Sequence, residues 1–139
     1  MRPALLIPLL VLCGACAGPL PLPDPQQAWI SLASRPGQLL MADRLDNRPV
    51  KDGRYFQVRP GAHELQVRLQ FEVPGGGGID GLAEPQTRTC LLRLHYAGFA
   101  AGQRYVLRAG EQGYRPWARL YDDQQHPLAR ARVQRCGAF

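Results

Sequence analysis

The chain has 139 residues, a formal net charge of +6 and 45% hydrophobic residues. Because only 20% of the residues are charged, the composition excludes an intrinsically disordered protein and predicts one globular domain with a buried core. The basic excess is nearly all arginine, since Lys51 is the only lysine. It is compatible with an anionic partner, but no continuous basic run identifies one.

The first fifteen residues predict export. Arg2 precedes an apolar run over residues 4–12, and small residues follow. This order is typical of a bacterial signal peptide. The apolar run is well short of the roughly 20 residues that a membrane-spanning helix needs. We therefore interpret residues 1–15 as a cleaved signal peptide.

The residues Gly14, Ala15 and Cys16 resemble a lipobox, at which a signal peptidase leaves a diacylated cysteine as the new N-terminus. We expect Cys16 to be lipidated and to attach the protein to a membrane. Ordinary signal-peptide cleavage after Ala15 or Ala17 is the alternative. By resemblance to lipoprotein sorting, Ala17 after the cysteine favours the outer membrane, with the domain facing the periplasm.

Residues 16–27 predict a lipid-anchored spacer. Proline occupies every second position from Pro19 to Pro25, a pattern that favours an extended polyproline-like chain. We expect a short, semi-rigid stalk that holds residues 28–139 away from the membrane as one folded domain.

Residues 28–139 predict strands separated by turns. The clearest signal is the alternation of apolar and polar residues from Glu64 to Val73, which indicates a strand with one buried face. The candidate strands are 28–33, 38–45, 54–59, 64–73, 87–96, 103–109, 116–121 and 128–135. No segment has helical periodicity, so the fold class is all-β: an antiparallel β-sandwich of about seven or eight strands, with a small barrel as the alternative. We expect Trp29 and Trp117 to lie in its core.

Two connections have distinctive sequences. The stretch RYFQVRPGAHELQVRLQF predicts a β-hairpin with Pro60 and Gly61 in its loop. Four glycines at 75–78 predict a flexible hairpin loop. A phosphate-binding loop would need a following Lys-Ser or Lys-Thr and a helix, and neither pattern is present.

Cys90 and Cys136 are the two cysteines that remain after Cys16. In an oxidising envelope, such a pair predicts a disulfide, which would contribute about 4 kcal/mol in the chain-entropy description. No histidine or cysteine lies at ligand spacing from either one, so we expect no metal site and no cofactor.

No catalytic set is recognisable. We expect His63, beside the Pro60-Gly61 turn, to make a hydrogen bond that holds the turn. Asp122 and Asp123 are adjacent and would point to opposite faces of a strand, so they predict a solvated turn. The serines lack the context of a nucleophile. The sequence therefore predicts a protein that is not an enzyme.

Six arginines in the later strands are candidate anion-binding residues: Arg93, Arg104, Arg108, Arg119, Arg130 and Arg132. If their strands are neighbours, these side chains form a basic sheet face that can bind phosphates of lipopolysaccharide or phospholipid. An ordinary solvated face is the alternative. We expect no nucleic acid partner, because an exported protein rarely meets one.

The stretch around the turn resembles small bacterial envelope domains of the PEGA and DUF2846-like kind. The matching residues are Val58, Pro60, Gly61, His63, Leu65 and Val67, and a later match includes Ala101, Gly102, Tyr105 and Leu107. The resemblance implies a compact β-sandwich, often found on lipoproteins or surface proteins, with no known catalysis. The glycine loop is not part of that pattern.

Together these features predict a non-enzymatic, lipid-anchored cell-envelope protein that acts as an interaction or accessory module. Its expected partners are the membrane, through the N-terminal lipid, and an envelope protein. The alternative is a periplasmic binder of an anionic ligand through the arginine-rich face.

Overall fold

The computed structural model describes residues 18–76 and 84–138, so the signal segment and Cys16 lie outside the described residues. The described chain folds into two five-stranded β-sheets. Sheet 1 contains, in order of hydrogen-bonded neighbours, β4 (Tyr55–Val58), β1 (Ala28–Ser34), β7 (Arg104–Gln112), β8 (Arg115–Asp122) and β9 (Pro127–Arg130). Sheet 2 contains β10 (Arg132–Gly137), β6 (Gln86–Phe99), β5 (Gly61–Val73), β2 (Leu39–Leu45) and β3 (Arg48–Pro49).

The predicted all-β sandwich is confirmed. Inward-facing residues of both sheets form one hydrophobic cluster, with Ile30, Leu107 and Leu120 from sheet 1 and Leu65 and Leu92 from sheet 2 fully buried. These residues follow the period-two alternation of their strands, which places every second side chain on the inner face. Within residues 18–76 and 84–138, no helix has the length and hydropathy needed to cross a membrane.

Sheet 1 is mixed rather than purely antiparallel. β1 pairs with β4 in the antiparallel direction and with β7 in the parallel direction, with Ile30 opposite Tyr105 and Leu32 opposite Leu107. A parallel pair needs a long connection between its strands. Here the connection contains β2, β3, β5 and β6 of sheet 2 and also β4 of sheet 1. The alternation within β1 could not reveal this parallel partner.

The predicted hairpin between β4 and β5 is wrong. β4 pairs with β1 in sheet 1, whereas β5 pairs with β2 and β6 in sheet 2. The chain therefore crosses from one sheet to the other at Arg59 and Pro60. Gly61 has a φ of 116°, a conformation that glycine adopts without steric cost. The turn is a corner of the sandwich, although both predicted strands are present.

The predicted strand 128–135 also divides between the sheets. β9 belongs to sheet 1 and β10 to sheet 2, with Ala131 between them donating its N–H to the carbonyl of Ala118 over 2.9 Å. This division and the two-residue strand β3 account for the difference between the ten strands and the predicted seven or eight.

The glycine-rich connection joins an antiparallel pair, as predicted for a hairpin loop. Val73 at the end of β5 lies opposite Gln86 at the start of β6. Residues 77–83 of this loop lie outside the described residues.

The predicted disulfide is confirmed. Cys90 of β6 and Cys136 of β10 lie directly opposite each other and are bonded, with their Cα atoms 4.1 Å apart. Cys90 is fully buried, whereas Cys136 is exposed on the edge strand. The bond thus attaches the edge strand β10 covalently to its neighbour β6.

The proline-rich segment lies against the folded domain. The carbonyl of Gly18 accepts a hydrogen bond from Arg54 over 2.8 Å. The N–H of Asp24 donates to Gln57 over 3.1 Å, and the carbonyl of Gln27 accepts from the N–H of Gly102 over 2.9 Å. These hydrogen bonds attach the segment to the domain at Gly18, Asp24 and Gln27. The role of residues 16–27 as a lipid-anchored spacer stays a prediction.

Candidate anion-binding face

The six predicted arginines divide between the two sheets. Arg104, Arg108, Arg119 and Arg130 lie on β7, β8 and β9 of sheet 1, whereas Arg93 and Arg132 lie opposite each other on β6 and β10 of sheet 2. The expectation of one face containing all six is therefore wrong. The physical reason is that the chain crosses between the sheets twice, from β6 to β7 after Arg93 and again at Ala131 before Arg132.

Three of the sheet 1 arginines form a row. Arg108 lies directly opposite Arg119, and Arg119 lies directly opposite Arg130. Adjacent strands are about 4.8 Å apart, so three guanidinium groups extend from neighbouring positions of three consecutive strands. All three residues are exposed. We call Arg108, Arg119 and Arg130 the arginine row.

The arginine row has no acidic counterpart in the part of the chain that the structure describes, because none of the ion pairs there includes these residues. Arg108 instead donates to the side-chain oxygen of Gln125 and lies over the ring of Tyr121, 5.0 Å from its centroid. Like charges directly opposite each other across strands destabilise a sheet. The row is thus a concentration of positive charge that the fold leaves uncompensated.

Aromatic side chains flank the arginine row on the outer face. Arg119 lies 5.9 Å from the ring centroid of Trp117, and Trp117 is half-buried on β8. Trp29, also on the outer face, is only 6% exposed and stacks on Tyr55 with centroids 4.2 Å apart. Trp29 is buried as expected, although it packs outside the hydrophobic cluster between the sheets. Trp117 is half-buried and also lies outside that cluster, so its expected place in the core is wrong.

A groove adjoins the arginine row at Arg119. It has a volume of about 460 Å³ and is lined by Arg35, Gln112, Arg115, Pro116, Trp117 and Arg119. Arg35, from the turn after β1, donates to the carbonyl of Glu111 over 3.2 Å. The sequence did not indicate Arg35 or Arg115 as site residues, because only the pairing of β1 with β7 and of β7 with β8 brings them together.

The outer face of sheet 2 is different, because its arginines Arg93 and Arg68 are paired. Arg93 donates to the side-chain oxygen of Gln66 over 2.9 Å and lies 3.4 Å from the Glu64 carboxylate. Gln66, only 6% exposed, donates in turn to Asp43 over 2.6 Å. Asp43 also pairs with Arg68 at 3.3 Å. We call these five residues the sheet 2 network. Such a hydrogen-bonded arrangement holds side chains in place and leaves their charges compensated.

His63 holds the corner between the sheets, as predicted. Its Nδ1 lies 2.6 Å from the Asp46 carboxylate and its Nε2 lies 2.7 Å from the carbonyl oxygen of Arg59. Because both nitrogens are engaged, His63 is not positioned as a free base, although it borders a cleft of about 720 Å³.

Asp46 is held for this contact by a two-residue hairpin between β2 and β3. Asp46 and Asn47 have φ values of 48° and 66°, as in the type I′ turns that suit two-residue hairpins. Burial raises the pKa of Asp46, but hydrogen bonds from the N–H of Glu64 and from His63 outweigh it, so the pKa is lowered overall.

Asp122 and Asp123 form the predicted solvated turn. Asp123 is exposed, and the Asp122 carboxylate accepts from the N–H groups of His126 and Gln124 over 2.8 and 3.0 Å. These bonds, led by that from His126, lower the pKa of Asp122. Within residues 18–76 and 84–138, no group of three or more potential ligands is placed to hold a metal ion.

No family model matches the chain, and searches of curated proteins and of solved structures find no match. The resemblance to PEGA and DUF2846-like domains accordingly stays a prediction that rests on the residues around the corner.

Proposed function

We propose that this protein is a non-catalytic, lipid-anchored cell-envelope protein whose β-sandwich binds an anionic ligand through the outer face of sheet 1. The observation that carries the proposal is the arginine row, in which three exposed guanidinium groups lie in register without an acidic partner in the described chain. Arg104 lies on the same face of β7, four residues before Arg108, and adds to its charge.

Electrostatic repulsion within the arginine row favours a binding role over a purely structural role for these residues. A folded domain gains nothing from like charges placed directly opposite each other, whereas phosphate groups accept charge-assisted hydrogen bonds from several guanidinium groups at once. An anion on the row would therefore relieve repulsion as well as form new contacts. The sheet 2 network supplies the contrast, because its arginines already have acceptors.

The proposed ligand is a phosphate-bearing component of the envelope surface, either lipopolysaccharide or an anionic phospholipid. Binding is measured by co-sedimentation with lipopolysaccharide and, separately, with vesicles that contain phosphatidylglycerol in phosphatidylcholine. Preference for one of the two identifies the source of the phosphate.

The decisive variant replaces Arg108, Arg119 and Arg130 by serine. Its matched control replaces Arg48, Arg59 and Arg88, which are also exposed and carry the same total charge. We expect the row variant to lose at least about 100-fold in affinity, since hydrogen bonds to charged groups contribute about 1.5–3 kcal/mol each, and the control to lose less than about threefold by reduced general attraction. Equal loss in both variants would overturn the site and favour an envelope protein as the partner.

Lipidation of Cys16 is the second part of the proposal. Cells grown with radioactive palmitate should label the full-length protein, and Cys16→Ala should abolish the label. Label that persists in this variant would reject the anchor without affecting the anion site.

The contact between Gly18 and Arg54 bears on how a lipid-anchored domain would be oriented. An anchor at Cys16 would precede Gly18 by two residues, and Gly18 is already hydrogen-bonded to the domain at the β4 edge. We infer that the domain is held close to its membrane, with the β4 edge of sheet 1 nearest the anchor. The arginine row begins two strands further across the same sheet, where surface phosphates are within reach.

A further inference from the structure

The indole of Trp117 packs over a glycine of the strand beside it. Gly110 of β7 is directly opposite Trp117 of β8. A Cβ atom added to Gly110 would lie 3.2 Å from Cζ2 and 3.4 Å from Cε2 of the indole. Since Gly110 has no side chain, the ring can pack onto the backbone of β7. The ring makes this contact while it remains half-buried and lines the groove.

The groove beside this ring combines an aromatic surface with positive charge. Arg35, Arg115 and Arg119 line it together with Gln112, and its lining includes no carboxylate. The amide of Gln112 can both donate and accept hydrogen bonds, whereas the guanidinium groups only donate. The groove therefore offers an apolar ring face, one neutral polar group and three cations.

We propose that this groove binds the ring of a saccharide that carries phosphate, sulfate or carboxylate groups, an inference that rests on the proposed function and specifies its ligand class. One face of the sugar ring packs on Trp117, its anionic substituents pair with Arg35, Arg115 and Arg119, and its hydroxyl groups bond to Gln112. Arg119 belongs to both the groove and the arginine row. Anionic groups further along a glycan chain therefore pair with Arg108 and Arg130.

The combination of features favours an anionic glycan over a simple polyanion. Polyphosphate would pair with the guanidinium groups but would gain little from the indole of Trp117. A neutral glycan would use the ring and Gln112 but leave three arginines without partners. Only a ligand with both a ring and negative charge uses every group that lines the groove.

The test compares three probes by isothermal titration calorimetry on the full domain: dextran sulfate, polyphosphate and uncharged dextran. We expect dextran sulfate to bind most tightly. Trp117→Ala should weaken the binding of dextran sulfate about tenfold, because it removes the stacked surface. It should change the affinity for polyphosphate less than about twofold. Trp117→Phe, which keeps an aromatic ring, should recover part of the lost affinity and guards against misfolding of the alanine variant.

Equal losses for dextran sulfate and polyphosphate in Trp117→Ala, or no loss for either, would overturn the saccharide site. In that case, binding that still depends on Arg108, Arg119 and Arg130 would leave the proposed anion-binding function intact. Failure of both charged probes to bind the unaltered protein would reject the two proposals together. Tighter binding of polyadenylate than of dextran sulfate would assign the ring to nucleobases and would also overturn the inference.

Discussion

The outer faces of the two sheets use the same residue type in opposite ways. On sheet 2, Arg93 and Arg68 are bonded to Gln66, Glu64 and Asp43. On sheet 1, three arginines lie in register with aromatic neighbours and no acidic partner among the described residues. Arginine content alone therefore does not predict binding. What matters is whether the fold supplies an acceptor for each guanidinium group.

The largest expected effect concerns the attachment of β10 to sheet 2. Replacing both Cys90 and Cys136 by alanine should lower the free energy of unfolding by about 4 kcal/mol, because the bond closes a long loop in the unfolded chain. Urea denaturation of the variant and of the reduced native protein measures the loss. The arginine row lies in the other sheet, so polyphosphate affinity of the still-folded variant should be unchanged. A loss of polyphosphate affinity would show that the two faces do not act independently.

Removal of the central acceptor of the sheet 2 network should have the next largest effect. Asp43→Ala leaves Gln66 and Arg68 without their partner and should cost about 2 kcal/mol of stability, as expected for partly buried polar groups left unsatisfied. The control is Asp123→Ala, an exposed carboxylate whose loss should change stability by less than about 0.5 kcal/mol. Thermal denaturation followed by circular dichroism compares them. Equal effects would show that the network does not stabilise the fold.

To compare the two outer faces directly, one arginine is replaced in each of them. Arg93→Ser should cost about 1 kcal/mol, because Gln66 and Glu64 lose a charged donor. Arg119→Ser should leave stability within about 0.5 kcal/mol, since the lost contact with Trp117 is offset by relief of repulsion in the row. Polyphosphate binding should show the reverse order, with a clear loss only for Arg119→Ser. If one of the two variants showed the larger loss both of stability and of polyphosphate binding, the distinction between the two outer faces would be wrong.

The smallest effect is the pH dependence at the corner. The folded-state pKa of Asp46 lies below its ordinary value of 3.8, so its contribution to stability is complete above that pH and is lost as the pH falls below it. Between pH 5 and pH 2.5, unfolding of the native protein should show this acid loss, and Asp46→Asn should show less of it. Asp123→Asn serves as the control. Identical pH profiles for the native protein and Asp46→Asn would exclude a role for the Asp46–His63 contact.

Much of the local structure could be predicted from residue patterns. The alternation from Leu65 to Val73 identified β5 and its buried face, because side chains on a strand alternate whatever the strand pairs with. The disulfide followed from the presence of two cysteines in a chain that we predict to be exported. The role of His63 followed from its place beside Pro60 and Gly61. Each of these inferences needed only neighbouring residues or a small count.

Pairing between strands could not be predicted in the same way. The corner at Gly61 has the local sequence of a hairpin, yet β4 and β5 enter different sheets. The corner at Ala131 interrupts no alternation, although it separates Arg130 from Arg132. Alternation specifies which side of a strand is buried but not which strand lies next to it, and the parallel pairing of β1 with β7 depends on the whole chain between them.

Residue patterns were enough to predict an all-β sandwich, its disulfide pair and the inward residues of its strands, because these follow from local periodicity and composition. The row formed by Arg108, Arg119 and Arg130, and the separate pairing of Arg93, became visible in the folded chain. The folded chain also places Trp117 over Gly110 beside a basic groove rather than in the core. Register across neighbouring strands sets these contacts, and register is a property of the assembled sheet.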